Sequence, residues 1–180
     1  KLKVEIFEFG LGTKNEYLEL WVPKKNWGGA FIRSNDNSYN DTMLAKKDGF
    51  MNFDKKNYII ENVKVCDGTF KLSEMFKDLS NNNLINGVIK IDVEGMEQSI
   101  LESISKALPE KITVDIIFEN WNSNFDFITI KNYFKNRKLI IKKLKNKIPL
   151  KKTWPRIFKG IVMILSANYI TLEEIDFKKS

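Results

Sequence analysis

Apolar residues recur along this chain with two periods, one typical of strands and the other typical of helices. Five segments have strand character, because their apolar residues alternate with polar ones or form short β-branched runs: residues 1–9, 17–22, 58–66, 88–93 and 112–119. Apolar residues at helical spacing predict three helices: residues 70–79, 98–108 and 126–136. A closing pair of strands is expected at residues 139–141 and 158–165. Residues 33–57 are polar and aperiodic, so a long loop is expected within this α/β arrangement.

The segment 88–108 changes from strand period to helical period within a few residues, and two acidic residues lie at the change. Asp92 and Glu94 end a β-branched run that is expected to be covered on both faces, and Gly95 turns the chain into the helix. Ligands of open α/β sheets bind beyond the carboxyl ends of the strands, so both carboxylates are candidate site residues. Carboxylates before a helix also stabilise its free N–H groups, by roughly 0.3–1 kcal/mol, and a capping role is an equal alternative.

The residues IKIDVEGMEQSILESI, at positions 89–104, resemble the signature strand and helix of the FkbM-type methyltransferases. Members of this family are S-adenosylmethionine-dependent O-methyltransferases, and many act on sugars and polyketides. Residues 90–97 match the family pattern position by position. The resemblance implies an α/β fold of the class I, Rossmann-like methyltransferase type, ending in an antiparallel hairpin at the sheet edge. It also implies S-adenosyl-L-methionine as the cofactor, with catalysis at Asp92 and Glu94.

The glycines near the start of the chain are candidates for contact with this cofactor. The segment VEIFEFGLGTKNEYLELWV, at residues 4–22, is similar to the family's third sheet strand, the turn after it and the following hairpin. In methyltransferases of this fold, that turn approaches the adenine of the cofactor. The resemblance therefore assigns cofactor binding to Gly10 and Leu11, while a plain hairpin turn explains the glycines equally well.

Two further clusters are candidates for binding the acceptor, because they combine aromatic faces with hydrogen-bonding groups or close backbone approach. The candidate residues are Trp27, Gly28 and Gly29 in the first cluster, and Glu119, Asn120 and Trp121 in the second. The first cluster resembles a paired-glycine element near the family's active site, although a β-bulge with a core tryptophan is an alternative. The second follows the strand 112–119 and is expected on the same sheet edge as Asp92.

Two strands that build the cofactor site of such enzymes have no counterpart in this sequence. The first carries a glycine-rich turn and the second ends in an acidic residue for the ribose hydroxyls. The resemblance covers nearly all of the 180 residues, yet only about the C-terminal two thirds of the family. We therefore expect residues 1–180 to be the C-terminal part of a single methyltransferase domain, with the upstream strands in the same polypeptide.

Composition restricts the possible chemistry. The chain has no histidine and one cysteine, which excludes histidine triads and the usual zinc spheres, so a base must be a carboxylate, lysine, tyrosine or Cys66. Asp92 or Glu94 is the expected base, because burial beside a second carboxylate raises a pKa towards neutrality. A divalent cation held by this pair is an alternative. A single cysteine, with no apolar run of about 18 residues, predicts a soluble cytoplasmic protein.

The positive charge is concentrated near the C-terminus. Thirty Lys and Arg residues outnumber 23 Asp and Glu residues, which gives a net charge of +7, and residues 135–152 contain no acid. Such a segment can contact an anionic surface, so a non-enzymatic module that binds anionic glycan or nucleic acid is an alternative. Nucleic acid is disfavoured, because no aromatic residue is interleaved there. The predicted function is methylation of a sugar hydroxyl in a polysaccharide or glycoconjugate, and a degenerate methyltransferase domain is a further alternative.

Overall fold

A computed structural model describes residues 4–84, 86–119, 126–137, 142–143 and 169–171. Its strands in chain order are β1 (Gly10–Gly12), β2 (Glu16–Pro23), β3 (Phe31–Arg33), β4 (Tyr58–Asp67), β5 (Asn86–Ile91), β6 (Thr113–Glu119), β7 (Lys142–Lys143) and β8 (Tyr169–Thr171). Its α-helices are α1 (Asp41–Lys47), α2 (Gly68–Asn81), α3 (Glu97–Ala107) and α4 (Phe127–Tyr133), with 3-10 turns at Trp27–Gly29 and Lys55–Asn57. The predicted α/β class is confirmed. None of the helices in the described part of the chain is both long and apolar enough to span a bilayer.

The strands of the described residues form two four-stranded sheets. In the first sheet the order is β1-β4-β2-β3, with β1 parallel to β4 and the other pairs antiparallel. In the second the order is β5-β6-β8-β7, with β5 parallel to β6 and the other pairs antiparallel. Strands β5 and β6 are thus parallel neighbours, which is the condition under which Asp92 and Glu119 lie at the same edge of the sheet. The finer prediction of a Rossmann-like methyltransferase sheet stays a prediction.

The predicted strand at residues 1–9 is wrong for the residues that the structure describes. The chain at 4–9 pairs with no described strand, and the ladder with β4 begins only at Gly10. Val4 and Ile6 are 71% and 85% exposed, so their apolar alternation is not matched by burial. An alternating sequence forms a strand only where a partner supplies hydrogen bonds, and here the partner begins later.

The end of the chain agrees with the predictions only in part. An antiparallel pair is present, because Lys142 and Lys143 in β7 pair with β8. The segments predicted for this pair, residues 139–141 and 158–165, lie outside the described residues. The described pair therefore confirms an antiparallel ending of the sheet but does not test the predicted segments themselves.

The larger core lies between helices α2, α3 and α4 and the strands β5 and β6. Helix α3 contributes Leu101 and Ile104, which are 0% and 1% exposed, and they cluster with Phe118 of β6 and Ile130 of α4. Burial of each such side chain stabilises the fold by roughly 1.5–3 kcal/mol. The expectation that the strand at 88–93 is covered on both faces is wrong at Val88, which is 67% exposed. Ile89 and Ile91 contact the larger core, so the exposed face of β5 is the alternate one, which carries Val88.

The smaller core is aromatic and corrects the prediction of a long loop at residues 33–57. Helix α1 lies within this segment and begins after Asn40, whose side chain accepts a hydrogen bond of 2.9 Å from the Met43 N–H. The helix buries Leu44 against an aromatic cluster. In this cluster the ring of Trp21 lies 5.5 Å from Phe53 and 5.6 Å from Tyr58. The apolar residues of this segment show no regular period, because they belong to a short helix and two turns.

Candidate functional site

Residues predicted from distant parts of the sequence border one cavity. Gly10 and Leu11 of β1 lie on one side of it, and Asp92 and Glu94, which follow β5, lie on the other. The cavity has a volume of about 500 Å³, within the range of about 300–1,000 Å³ that small-molecule sites occupy. The rest of its wall is mainly apolar and includes Phe9, directly before β1, and four residues of the first sheet: Leu20, Phe31, Ile32 and Val63. Gly10 is part of a strand, so the expectation of a turn there is wrong, while its position beside the cavity is compatible with ligand contact.

Asp92 is an exposed carboxylate at the mouth of this cavity. Its side chain is 65% exposed and forms an ion pair with Lys90, two residues earlier on β5. The expectation that Asp92 is buried beside a second carboxylate is therefore wrong. A side chain after an edge strand has solvent on one side, and β5 is such a strand among the described residues. Asp92 is therefore open both to solvent and to the cavity.

Glu94 belongs to a partly buried network that was not predicted from the sequence. The ammonium group of Lys47 lies 3.1 Å from Glu94 Oε1 and 3.6 Å from Asp48 Oδ1. It also donates a hydrogen bond of 2.9 Å to the Gly29 carbonyl. The Lys47 side chain is only 10% exposed, because it passes between the end of α1 and the cavity rim. Glu94 is thereby held in one position by a cation that is itself fixed.

Asp48 anchors this network on the aromatic core. Its side chain is 0% exposed, and its Oδ2 accepts a hydrogen bond of 3.1 Å from the Tyr58 hydroxyl. Burial raises the pKa of Asp48, and the neighbouring Lys47 partly opposes that rise. The pKa of Tyr58 is also raised, first by burial and then by its hydrogen bond to Asp48. The rim of the cavity is therefore connected to the smaller core through Lys47 and Asp48.

The turn between β5 and α3 is fixed by the segment that follows β3. Gly95 adopts a positive φ of 85°, a conformation that favours glycine. Asn37 donates from its side-chain amide to the carbonyl oxygens of Glu94, at 2.8 Å, and Ile32, at 2.9 Å. The backbone N–H of Ser38 donates to the Gly95 carbonyl at 2.9 Å. These bonds attach the turn with the acidic residues to the first sheet.

The substitution Gly95→Ala is expected to lower the free energy of unfolding by about 1–3 kcal/mol, because a Cβ atom requires strain at this φ and clashes with the Asn37 side chain. Gly87→Ala, on the neighbouring strand, is the matched control, since a Cβ atom there meets no atom within 4 Å. Urea denaturation of both variants measures the difference. Equal stabilities would show that Asn37 and the turn rearrange at no net cost.

Glu97 is a second buried carboxylate of this region, and sequence reasoning did not single it out. It is 3% exposed, and its Oε1 accepts hydrogen bonds from the Gly95 N–H at 3.2 Å and from the Tyr39 hydroxyl at 3.5 Å. Burial raises the pKa of Glu97 to about 7. The helical pattern carried a signal, because Glu97 shares a face with Leu101, Ile104 and Leu108, which are apolar and buried. The acidic group with a near-neutral pKa therefore lies behind the cavity rim and not on it.

The predicted acceptor residues are distributed differently from the expectation. Trp27, Gly28 and Gly29 form a 3-10 turn in place of the alternative β-bulge, and these three residues do not border the cavity. Trp27 is 73% exposed, and of the two tryptophans that the structure describes, Trp21 is the one in the core. Gly29 is required by packing, since a Cβ atom there would lie 2.7 Å from Asp48 Oδ1.

The second acceptor cluster is described only at its first residue. Glu119 is the last residue of β6, and its neighbour Phe118 pairs with Ile91 of β5, directly before Asp92. Its backbone therefore reaches the predicted edge of the sheet. Asn120 and Trp121 lie outside the described residues. Of the basic segment 135–152, the structure describes residues 135–137 and 142–143.

Comparison with known proteins does not add an assignment to this site. The chain matches no model of a protein family, no curated protein and no solved structure. The resemblance of residues 89–104 to the FkbM-type methyltransferases therefore stays a prediction.

Proposed function

We propose that this protein is an S-adenosylmethionine-dependent O-methyltransferase of the FkbM type, which methylates a sugar hydroxyl of a polysaccharide or glycoconjugate in the cytoplasm. One observation carries the proposal. The residues expected to contact the cofactor, Gly10 and Leu11, and those expected to act in catalysis, Asp92 and Glu94, border the same cavity. The two pairs of residues come from two different sheets. Their closeness in space is therefore not a consequence of closeness in the sequence.

The groups around this cavity suit the proposed cofactor. Phe9, Leu20 and Val63 offer apolar surface for an adenine ring, and carboxylates can accept hydrogen bonds from ribose hydroxyls. When bound, S-adenosylmethionine supplies an electrophilic methyl group for transfer to oxygen.

The two carboxylates have different environments and are suited to different roles. The ammonium group of Lys47 stabilises the ionised form of Glu94 and fixes its position, so Glu94 is suited to orient an acceptor hydroxyl. Asp92 is exposed at the cavity mouth and can accept the proton that the hydroxyl loses. Positioning by Glu94 and proton removal by Asp92 together constitute the proposed contribution of this chain to methyl transfer.

Calorimetry of the full-length protein with S-adenosylmethionine tests the proposal. We expect binding in the micromolar range, as for an enzyme that must capture its cofactor. Asp92→Asn is expected to weaken it about tenfold or more, because hydrogen bonds to a charged group contribute about 1.5–3 kcal/mol. Glu110→Gln removes an exposed carboxylate that does not border the cavity, and it should bind like the unaltered protein. Absence of binding to the unaltered protein would overturn the proposal.

A degenerate methyltransferase domain retained for assembly is the second candidate. Both carboxylates form ion pairs with lysines: Asp92 with Lys90, and Glu94 with Lys47. These pairs favour the degenerate domain, because a paired carboxylate can have a structural role alone. This candidate predicts that the protein binds the cofactor yet transfers no labelled methyl group to glycans of its source cells.

A further inference from the structure

A second cavity lies beside the first and has a polar wall. Its volume is about 270 Å³, and the polar residues that border it are Arg33, Ser34, Asn35, Asn37 and Asp41. Phe31 and Ile32 border both cavities, so the two spaces are neighbours across β3. None of the polar residues of the second cavity was identified from the sequence as a candidate. Its size suits a single sugar ring better than a nucleotide.

Arg33 is held in position before any ligand binds. Its Nη1 lies 2.5 Å from Asp41 Oδ1, and its guanidinium carbon lies 4.8 Å from the centre of the Phe53 ring and 5.4 Å from that of Trp21. A guanidinium group has five N–H donors in a planar fork, and the contact with Asp41 uses one of them. The remaining donors have a fixed direction, which reduces the entropy lost when a ligand binds.

The charges of this cavity favour a neutral ligand. Arg33 and Asp41 carry opposite charges and are paired, so an anion attracted by the guanidinium group is repelled by the carboxylate. A hydroxyl group both donates and accepts hydrogen bonds, and this pair offers a donor and an acceptor side by side. The amide of Asn35, on the exposed side of the cavity, offers both again. Adjacent hydroxyls of a sugar ring match this set of groups.

The second cavity is also connected to the acidic rim. The Asn37 amide donates to the carbonyl of Ile32, which borders both cavities, and to the carbonyl of Glu94. We propose that this cavity binds a neutral monosaccharide ring through Arg33, Asn35 and Asp41, and that it is the acceptor subsite. The acceptor role rests on the proposed methyltransferase function, whereas the binding of a sugar ring does not.

Saturation-transfer and chemical-shift NMR on the full chain test this inference. The probes are the methyl glycosides of glucose, galactose and mannose, with methyl glucuronoside and inorganic phosphate as anionic probes. We expect at least one neutral glycoside to bind more tightly than both anions. Arg33→Lys keeps the charge but loses the planar fork, and we expect it to weaken that binding about fivefold or more. Asn35→Ala is expected to weaken it by a similar factor.

The control is Asn62→Ala, which removes an exposed amide of β4 that does not border the cavity, and should leave binding unchanged. Three outcomes would overturn the inference. They are tighter binding of an anion than of every neutral glycoside, glycoside binding by a natively folded Arg33→Lys variant equal to that of the unaltered protein, and no binding of any glycoside. Binding of S-adenosylmethionine without glycoside binding would refute the subsite and leave the proposed function standing. Glycoside binding without S-adenosylmethionine binding would support the sugar site and refute the methyltransferase.

Discussion

Replacement of Lys47 by methionine is expected to lower the free energy of unfolding by about 3–5 kcal/mol. Lys47 is the cation between Glu94 and Asp48, and the Asp48 side chain is 0% exposed. Methionine has a similar length but no charge, so it leaves a buried carboxylate without its ion pair. Removing one partner of a buried pair is costly because the other remains desolvated. Urea denaturation at neutral pH measures the loss.

Lys46→Met is the matched control for this substitution. Lys46 is the preceding residue on the same helix, and it is exposed. Exposed charges contribute little, so we expect a change within about 0.5 kcal/mol. The double variant Lys47→Met and Asp48→Asn should recover part of the loss, because the second substitution removes the unpaired charge. Similar effects of Lys46→Met and Lys47→Met would show that the network around Glu94 does not stabilise the fold.

The parts of the fold that were predictable are those with a repeating pattern. Strands β2, β4 and β6 and helices α3 and α4 follow runs of apolar residues whose period identifies them without knowledge of their partners. Helix α1 was missed because it has seven residues and buries only Leu44 and Ala45. Strand β1 was placed too early because hydrogen bonding to β4, and not the alternation of residues 4–9, decides where it begins.

The candidate site was predictable only where a resemblance or a chain edge marked it. Asp92 and Glu94 follow β5 directly, so their place near a sheet edge could be inferred. Lys47, Asp48 and Asn37 reach the site from a segment that looked like a loop, and no local pattern relates them to Glu94. Trp27 shows the converse error, since an aromatic residue near paired glycines suggested a ligand contact and proved exposed. Contacts between distant segments decide which polar groups meet.

A pH-dependent difference in stability is expected between the unaltered protein and Glu97→Gln. The pKa of Glu97 is raised from 4.5 to about 7 in the folded state, so the folded protein holds this proton more tightly than the unfolded chain. The stabilisation from the neutral carboxyl is fully present below pH 4.5 and is lost as the pH rises through about 7. Between pH 5 and pH 8 we expect the free energy of unfolding of the unaltered protein to fall by about 2–3 kcal/mol relative to that of Glu97→Gln.

Glutamine keeps an oxygen that can accept from the Gly95 N–H and the Tyr39 hydroxyl, but it cannot ionise in a site that is 3% exposed. Urea denaturation at several pH values therefore isolates the Glu97 contribution, because other groups such as Asp48 titrate in both proteins and cancel in the difference. Glu110→Gln removes an exposed carboxylate and should change stability by no more than about 0.5 kcal/mol. Parallel curves for the unaltered protein and Glu97→Gln would mean that water reaches Glu97 and that the turn at Gly95 is not sealed against α3.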